Sequence, residues 1–220
     1  MIIKPTGGLC NYLRVVFSYY SKAIHENTQL LVIWESTDAC PGYFLDYFKP
    51  INNISFINYN DKHRVDYTGC EIHKDFPPNY SALQLKDSIA SLIKKKKEIL
   101  GPYIAVHIRR TDHIASAKKN NCFTTDEDFF MYIDKMKENK SIYIATDNIQ
   151  TFTLFKSKYK NSIPFGYHTI KPRNLLRHTS LLDAITDLFM CIYADDFMGS
   201  GRSSFTDFIY TIRNDRCTIR

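Results

Sequence analysis

The sequence lacks the patterns that mark several common classes of protein. Its 220 residues include six cysteines, but none form a Cys-x-x-Cys pair and no histidine stands at a metal-ligand spacing. A zinc site or a compact disulfide scaffold is therefore not expected, and the thiols are predicted to be free. Neither a G-x-G-x-x-G fingerprint nor a Walker A sequence is present, so dinucleotide and ATP binding through those motifs are not supported.

Long apolar runs and strong charge are also missing. No stretch approaches the roughly 18 apolar residues of a membrane-spanning helix, and the start "MIIKPTGG" has no charged leader or cleavage site. We therefore expect no membrane span and a cytoplasmic location. The formal net charge is only +6, and the one dense basic run, Lys94–Lys97, lies in a helix-like stretch. A solvated helix face accounts for such a run, so no nucleic-acid partner is expected.

Strands and helices alternate along most of the chain. The segments "MIIKP", "NYLRVVFSYYSKAIHEN" and "LLVIW" predict a βαβ opening, followed by a Pro- and Asn-rich middle of loops and short strands packed by aromatic side chains. The strands "YIAVHI", "SIYIAT" and "DFMGS" alternate with helices in the second half. This pattern predicts an α/β fold with two Rossmann-like lobes, whose parallel sheets face a cleft. The predicted lobes are residues 1–95 and 96–220.

Charged residues stand where the first strand of the second lobe ends, and ligands bind at such ends. His107 and Arg109 lie on one side of this strand and Arg110 on the other. Two guanidinium groups suit a diphosphate, because arginine offers a planar fork of donors and stays charged. Structural ion pairs of the arginines with Asp112 and Asp147 are an equally good interpretation.

The next two strands also end in polar residues. Asp147 and Asn148 follow "IYIAT", where they either accept hydrogen bonds from a sugar or base, or cap the following helix. The last strand ends in "GSGRSS", which contains Ser203 and Ser204 and opens a helix. Backbone amides, hydroxyl groups and the positive end of a helix dipole form an anion site, although Gly-Ser loops also occur as plain turns.

Two further groups are candidates for binding a ligand. Asp187 lies four residues after Asp183 on one helical face, where a carboxylate near a nucleotide accepts N–H bonds from guanine. In the opening loop "GGLCNYLR", Gly8 permits a close backbone approach, and Asn11 and Arg14 extend from the helix start.

Three segments, in this order, resemble motifs shared by fucosyltransferases that use GDP-fucose: "HIRRTDH", "IYIATDN" and "DLFMCIYADDFMGSGRSSF". That superfamily includes the α1,6 core and nodulation type, the α1,2 type and the protein O-fucosyltransferases. The arginine segment is closest to the α1,6 type, whereas the opening loop is more like the α1,2 type. The resemblance covers most of residues 100–213 and the loop at 6–17. It implies a GT-B fold in which the second lobe binds GDP-fucose and the first helps to build the acceptor side.

The resemblance also implies a role for each matching residue. Arg109 would bind the β-phosphate and stabilise the charge on the departing GDP, while His107 and Asp187 would contact guanine. Ser203 or Ser204 would bind phosphate at the helix start. The remaining residues, Arg110, Asp112 and Asp147, would complete the pocket and hold it rigid.

One position departs from the α1,6 type, in which a glutamate that deprotonates the acceptor follows the motif aspartate by five residues. That position is Ala117 here. The candidates for the general base are instead Asp112, His113, Glu35 and Asp126, and Asp112 joins Arg109 as a predicted catalytic residue.

We therefore expect an inverting, metal-independent enzyme without a cofactor, which moves fucose from GDP-fucose to a glycan acceptor in an α1,6- or α1,2-type linkage. Two alternatives remain at this point. One is a GT-B transferase that uses another nucleotide sugar, and the other is a non-catalytic protein that binds nucleotides or glycans.

Overall fold

The computed structural model describes residues 1–58, 64–111, 113–159 and 180–217. They form two compact units, Met1–Ala90 and Ser91–Arg220. Each unit contains a parallel β-sheet, which confirms the predicted α/β class. The acceptor-side role assigned to residues 1–95 and the nucleotide-sugar role assigned to 96–220 stay predictions.

The first unit has a four-stranded parallel sheet in the order β3-β2-β1-β4. The predicted βαβ opening is confirmed, because the buried face of the first helix, with Leu13, Val16 and Phe17, packs near the first two strands. The elements are β1 (Ile2–Pro5), α1 (Leu9–His25), β2 (Leu30–Ile33), α2 (Phe44–Tyr47), β3 (Ile54–Ile57) and β4 (Tyr67–Gly69).

Aromatic side chains pack the middle of the sequence, as predicted. The rings of Phe44 and Phe56 stack with centroids 4.0 Å apart, and the fully buried Trp34 meets Phe44 edge-on at 5.4 Å. This packing holds β3 at one edge of the first sheet, since Phe56 belongs to that strand.

The second unit has a three-stranded parallel sheet in the order β6-β5-β7. All six residues of the central strand are buried, as expected of a parallel strand covered on both faces. Helix α3 (Asp87–Leu100) leads into β5 (Tyr103–Ile108), α4 (His113–Lys119), α5 (Asp126–Met136), β6 (Ser141–Thr146), α6 (Ile149–Lys158), α7 (Leu181–Tyr193), β7 (Asp196–Gly199) and α8 (Ser204–Cys217).

The register of the second sheet aligns its three carboxyl ends. His107 on β5 lies opposite Ala145 on β6 and Gly199 on β7. The polar residues that follow these strands therefore emerge at the same edge of the sheet.

Two predictions about the whole chain can be compared with the described residues. Of the helices in these ranges, none combines the length and the apolarity needed to cross a membrane. Within the described ranges, the thiols of five cysteines are not joined in disulfides: Cys10, Cys40, Cys70, Cys122 and Cys191.

Candidate functional site

Ser200 joins the ends of two neighbouring strands. Its backbone N–H donates to the carbonyl oxygen of His107 at 2.9 Å, and its Oγ accepts from the backbone N–H of Arg109, also at 2.9 Å. Ser200 is 2% exposed. The backbone that carries Arg109 is therefore tied to the loop between β7 and α8.

Asp147, at the end of β6, gathers the donors that follow β5. Its Oδ1 accepts from the backbone N–H of Arg110 at 2.9 Å, and its Oδ2 accepts from the Arg109 guanidinium and the Thr111 hydroxyl group. The side chain of Arg109 is 14% exposed and that of Asp147 is 9% exposed. The Arg109–Asp147 ion pair considered from the sequence is therefore present, and it holds a nearly buried guanidinium in one place.

The guanidinium of Arg110 has different partners from that of Arg109. Its guanidinium forms an ion pair with Asp126 and donates to the carbonyl oxygen of Thr124 at 3.2 Å. The same group lies 5.1 Å from the ring centroid of Phe123 and 5.8 Å from that of Phe129. With its side chain only 8% exposed, Arg110 fixes the segment before α5.

His107 connects β5 to α8. Its Nδ1 lies 2.9 Å from Thr206 Oγ1, and its ring stacks on that of Phe205 with centroids 4.5 Å apart. His107 is 6% exposed. These contacts set the position of α8 relative to the sheet.

The turn that opens α8 carries the predicted serines. Ser203 is buried and its carbonyl oxygen accepts from the backbone N–H of Asp207 at 2.9 Å, while Ser204 is partly exposed. Arg202 adopts a left-handed φ of 55°, and the backbone N–H of Gly201 donates to Thr124 Oγ1 at 3.0 Å. The positive end of the α8 dipole thus lies beside the loop that contacts Arg109.

The family model described as GDP-fucose protein O-fucosyltransferase matches residues 17–215. The chain belongs to this family. The predicted superfamily of GDP-fucose-dependent fucosyltransferases is therefore confirmed, and so is the prediction of an enzyme that transfers fucose. No curated protein matches the sequence significantly.

Solved fucosyltransferases resemble the chain in structure. The NodZ α-1,6-fucosyltransferase from Bradyrhizobium has a TM-score of 0.63 at 14% identity, and the match covers 96% of this chain and 91% of that one. The same values hold for NodZ crystals soaked with GDP-fucose. POFUT1 in complex with GDP has a TM-score of 0.47 at 15% identity and covers 74% of this chain and 53% of that one. The NodZ similarity confirms the predicted GT-B-like fold.

In this fucosyltransferase, Asp187 lies in the protein interior. Its Oδ1 accepts a hydrogen bond of 2.7 Å from the hydroxyl group of Tyr143, in the middle of β6. Burial raises the pKa of the Asp187 carboxyl well above its usual value. Burial likewise raises the pKa of Tyr143. Asp187 therefore contacts the middle of β6: its partner Tyr143 lies opposite Ala105 of β5, two residues before His107.

The other predicted ligand-binding residues belong to the first unit. Gly8 is the N-cap of α1, and Arg14 donates to the carbonyl oxygen of Cys70 at 2.9 Å. Asn11 Oδ1 is buried, and no hydrogen-bond partner for it is found in the described ranges. Gly7 has a φ of +90°, and an added Cβ would lie 2.6 Å from Asn11 Nδ2. A glycine is therefore required beside Asn11.

The general-base candidates have different positions. Glu35 forms an ion pair of 2.7 Å with Lys4, and Asp126 is engaged by Arg110. Asp112 lies outside the described residues, as does the side chain of His113. Ala117, which replaces the glutamate of the α1,6 type, is 1% exposed within α4.

Several residues that organise the site are not among those predicted from sequence. Ser200 stands in the Gly-Ser loop whose later serines were predicted, so that loop carried a usable signal. Phe205 ends the third quoted motif and Thr206 follows it, so the same segment carried a signal for both, whereas nothing around Thr124 distinguishes it. Asn148 resolves one alternative, because its side chain accepts from the Thr151 N–H at 2.9 Å and caps α6. Among the described residues, no group of three or more His, Cys, Asp or Glu is arranged to hold a metal ion.

Proposed function

We propose that this fucosyltransferase transfers fucose from GDP-fucose to a glycan hydroxyl group by an inverting mechanism, without a metal ion or other cofactor. One observation carries the proposal. The Arg109 guanidinium is held by Asp147 at the sheet edge, and the Arg109 backbone is tied through Ser200 to the loop that opens α8. A fixed cation and a helix N-terminus at one edge suit a diphosphate. NodZ, of similar fold, was crystallised with GDP.

The arrangement accounts for the chemistry of an inverting transfer. The acceptor oxygen attacks the fucose carbon as the bond to the β-phosphate oxygen breaks, so the departing GDP gains negative charge. A preorganised guanidinium and the backbone amides at the start of α8 stabilise that charge without reorganising. One such donor typically contributes about 3 kcal/mol, which is 100- to 1000-fold in rate. In this proposal Arg109 is the principal catalytic group for the leaving diphosphate.

The other residues have proposed roles around this centre. Ser203 or Ser204 binds phosphate at the start of α8, and His107 contacts guanine. Arg110 and Asp147 complete the pocket and keep it rigid.

Deprotonation of the acceptor is proposed for Asp112. Glu35 and Asp126 are each engaged by a cation, whereas Asp112 stands two residues after Arg110 in the segment that carries both arginines. Gly8, Asn11 and Arg14 of the first unit are proposed to bind substrate. For Asn11 the support is its buried, unpartnered carbonyl oxygen among the described atoms, because a buried acceptor normally has a hydrogen-bond donor.

The proposed contact between Asp187 and guanine requires that the guanine of GDP-fucose bind close to Tyr143, the residue that Asp187 contacts. The described hydrogen bond between Asp187 and Tyr143 favours a structural role instead. Asp187→Asn separates the two roles, because a guanine contact requires the charged carboxylate to accept two N–H bonds. Loss of GDP affinity in that variant, with IDP binding less affected, would support the guanine contact.

A ligand panel tests the donor. Thermal shifts are measured with GDP, GDP-fucose, GDP-mannose, UDP-sugars and ADP, each with and without a chelator. A ligand at 100 times its dissociation constant adds about 2.7 kcal/mol of stability, which corresponds to a rise of roughly 5 to 10 °C in a chain of this size. We expect GDP and GDP-fucose each to stabilise the protein by the same amount with the chelator as without it. Stabilisation by a UDP-sugar alone would overturn the proposed donor.

A transfer assay tests the remaining parts of the proposal. Labelled GDP-fucose is incubated with glycan acceptors and chelator, and NMR of the product determines linkage and anomeric configuration. The expected product has the configuration opposite to that of the donor, and its yield is unchanged by the chelator. Retained configuration would contradict the inverting mechanism, and loss of product on chelation would contradict metal independence.

A further inference from the structure

The segment at residues 122–125 lies tightly against the turn that opens α8. An added Cβ at Gly201 would lie 2.5 Å from the carbonyl oxygen of Cys122, closer than real Cβ atoms approach. In the same segment, Thr124 Oγ1 accepts a hydrogen bond from the Gly201 N–H at 3.0 Å. The steric contact and the hydrogen bond independently show that this segment determines where the turn lies.

Thr124 also contacts the arginine side of the site. Its carbonyl oxygen accepts from the Arg110 guanidinium at 3.2 Å. The backbone N–H of Arg110 donates to Asp147, the carboxylate that holds Arg109. A continuous series of hydrogen bonds therefore runs from Gly201 through Thr124, Arg110 and Asp147 to Arg109.

The next residue anchors the segment to a helix. Thr125 is the N-cap of α5, where its Oγ1 accepts from the Asp128 N–H at 3.1 Å and its own N–H donates to the Asp128 carboxylate at 2.8 Å. This capping box is formed by Thr125 and Asp128 alone and stabilises the start of α5. It is therefore a separate interaction, which can be removed while the hydrogen bond between Thr124 and Gly201 stays.

We propose that Thr124 is a positioning residue, which fixes the α8 turn relative to Arg109 and thereby strengthens binding of the donor diphosphate. The inference rests on the proposed function, because it assumes that the diphosphate binds between these two groups. Thr124 acts through Gly201 and Arg110 and does not itself touch the substrate. A substitution tests only the hydroxyl group, which accepts from Gly201, because the backbone carbonyl oxygen that accepts from Arg110 is present in every variant.

Three variants test this role. Thr124→Val removes the hydroxyl acceptor and keeps the shape, Thr124→Ser keeps the hydroxyl group, and Thr125→Val removes the neighbouring cap of α5 while leaving the Gly201 hydrogen bond. Calorimetry gives the dissociation constant for GDP, and steady-state assays give KM and kcat with GDP-fucose. All measurements are made below the lowest melting temperature.

Thr124→Val is expected to raise the GDP dissociation constant about 3- to 10-fold, the effect of losing one net hydrogen bond that keeps the binding-competent turn populated. Thr124→Ser keeps the hydroxyl acceptor, so its GDP dissociation constant should stay within about twofold of the wild-type value. Thr125→Val should lower the melting temperature and leave GDP affinity unchanged. If Thr124 had a purely structural role, GDP affinity would instead fall in proportion to the melting temperature in the variants of both Thr124 and Thr125.

The outcomes separate this inference from the proposed function. Wild-type protein that binds no GDP overturns both. Wild-type protein that binds GDP, together with Thr124→Val of equal affinity, overturns only the role of Thr124. Equal weakening by Thr124→Val and Thr125→Val also overturns it. If Thr124→Val does not fold, Thr124→Ala replaces it in the comparison, with the same outcomes.

Discussion

Replacing Asp147 by asparagine should disable this enzyme by releasing Arg109. The two carboxylate oxygens of Asp147 accept from the Arg110 backbone, the Arg109 guanidinium and the Thr111 hydroxyl group. An asparagine can still accept from the Arg110 N–H. Its amide nitrogen would then face two further donors, Arg109 and Thr111, and would repel the guanidinium from its present position.

The size of this effect follows from burial. The side chains of Arg109 and Asp147 are 14% and 9% exposed, and breaking a buried ion pair by removing one partner costs about 3 to 5 kcal/mol. Because a neutral amide remains and some exposure persists, we expect a loss of about 2 to 3 kcal/mol in the free energy of unfolding. A displaced guanidinium no longer stabilises the transition state as a preorganised donor. We therefore expect kcat to fall 100- to 1000-fold, which corresponds to a rise of about 3 kcal/mol in the activation free energy.

The assay compares Asp147→Asn with a matched control. Asp126→Asn makes the same chemical change in the carboxylate that binds Arg110, and it is 33% exposed. We measure kcat for fucose transfer, urea denaturation and circular dichroism for each protein. Asp126→Asn should lower kcat by about tenfold or less, because Arg109 keeps its partner.

Two results would refute this reasoning. One is a folded Asp147→Asn protein that retains more than about a tenth of the wild-type kcat, which would be far from the loss expected for a displaced donor. The other is an equal loss of kcat in Asp126→Asn, since general loosening of the segment would then explain both.

Three further predictions follow from the same site and its surroundings. Arg109→Ala and Arg109→Lys should both lower kcat for transfer about 100- to 1000-fold, because lysine lacks the planar fork; more than a tenth of wild-type turnover in Arg109→Ala would contradict its role. Gly201→Ala should raise the GDP dissociation constant measured by calorimetry, since its Cβ would lie 2.5 Å from the Cys122 carbonyl oxygen; unchanged affinity would contradict that packing. Burial raises the pKa of Asp187, so this carboxyl lowers the free energy of unfolding as pH rises above about 4, by up to about 1.4 kcal/mol per pH unit. Urea denaturation from pH 5 to 8 should show a shallower decline in Asp187→Asn, and an unaltered slope would argue against the raised pKa.

Local patterns were sufficient to predict most of the helices and strands. The run "YIAVHI" is apolar throughout because β5 is buried on both faces, and that composition is visible without any tertiary information. Helix starts carry local signals too, since Thr125 and Ser180 each form a capping box with the aspartate three residues later. Such signals depend only on neighbours along the chain.

The edge strands of the first sheet were less evident from sequence. Strand β4 contains only Tyr67–Gly69, and its backbone pairs with β1, as in the register of Ile3 with Tyr67. Three residues are too few to display a periodicity. Their strand conformation comes from hydrogen bonds to a partner distant in sequence.

The sequence by itself determined the chemistry of the site: two guanidinium groups after β5, a carboxylate after β6 and a Gly-Ser turn before α8. Only the tertiary structure decided how these groups are shared. Arg109 and Arg110 are identical in type and adjacent in the chain, yet the guanidinium of Arg109 binds Asp147 and that of Arg110 binds Asp126. Successive residues point in opposite directions, and each therefore meets the partners that a different strand or helix brings to its side.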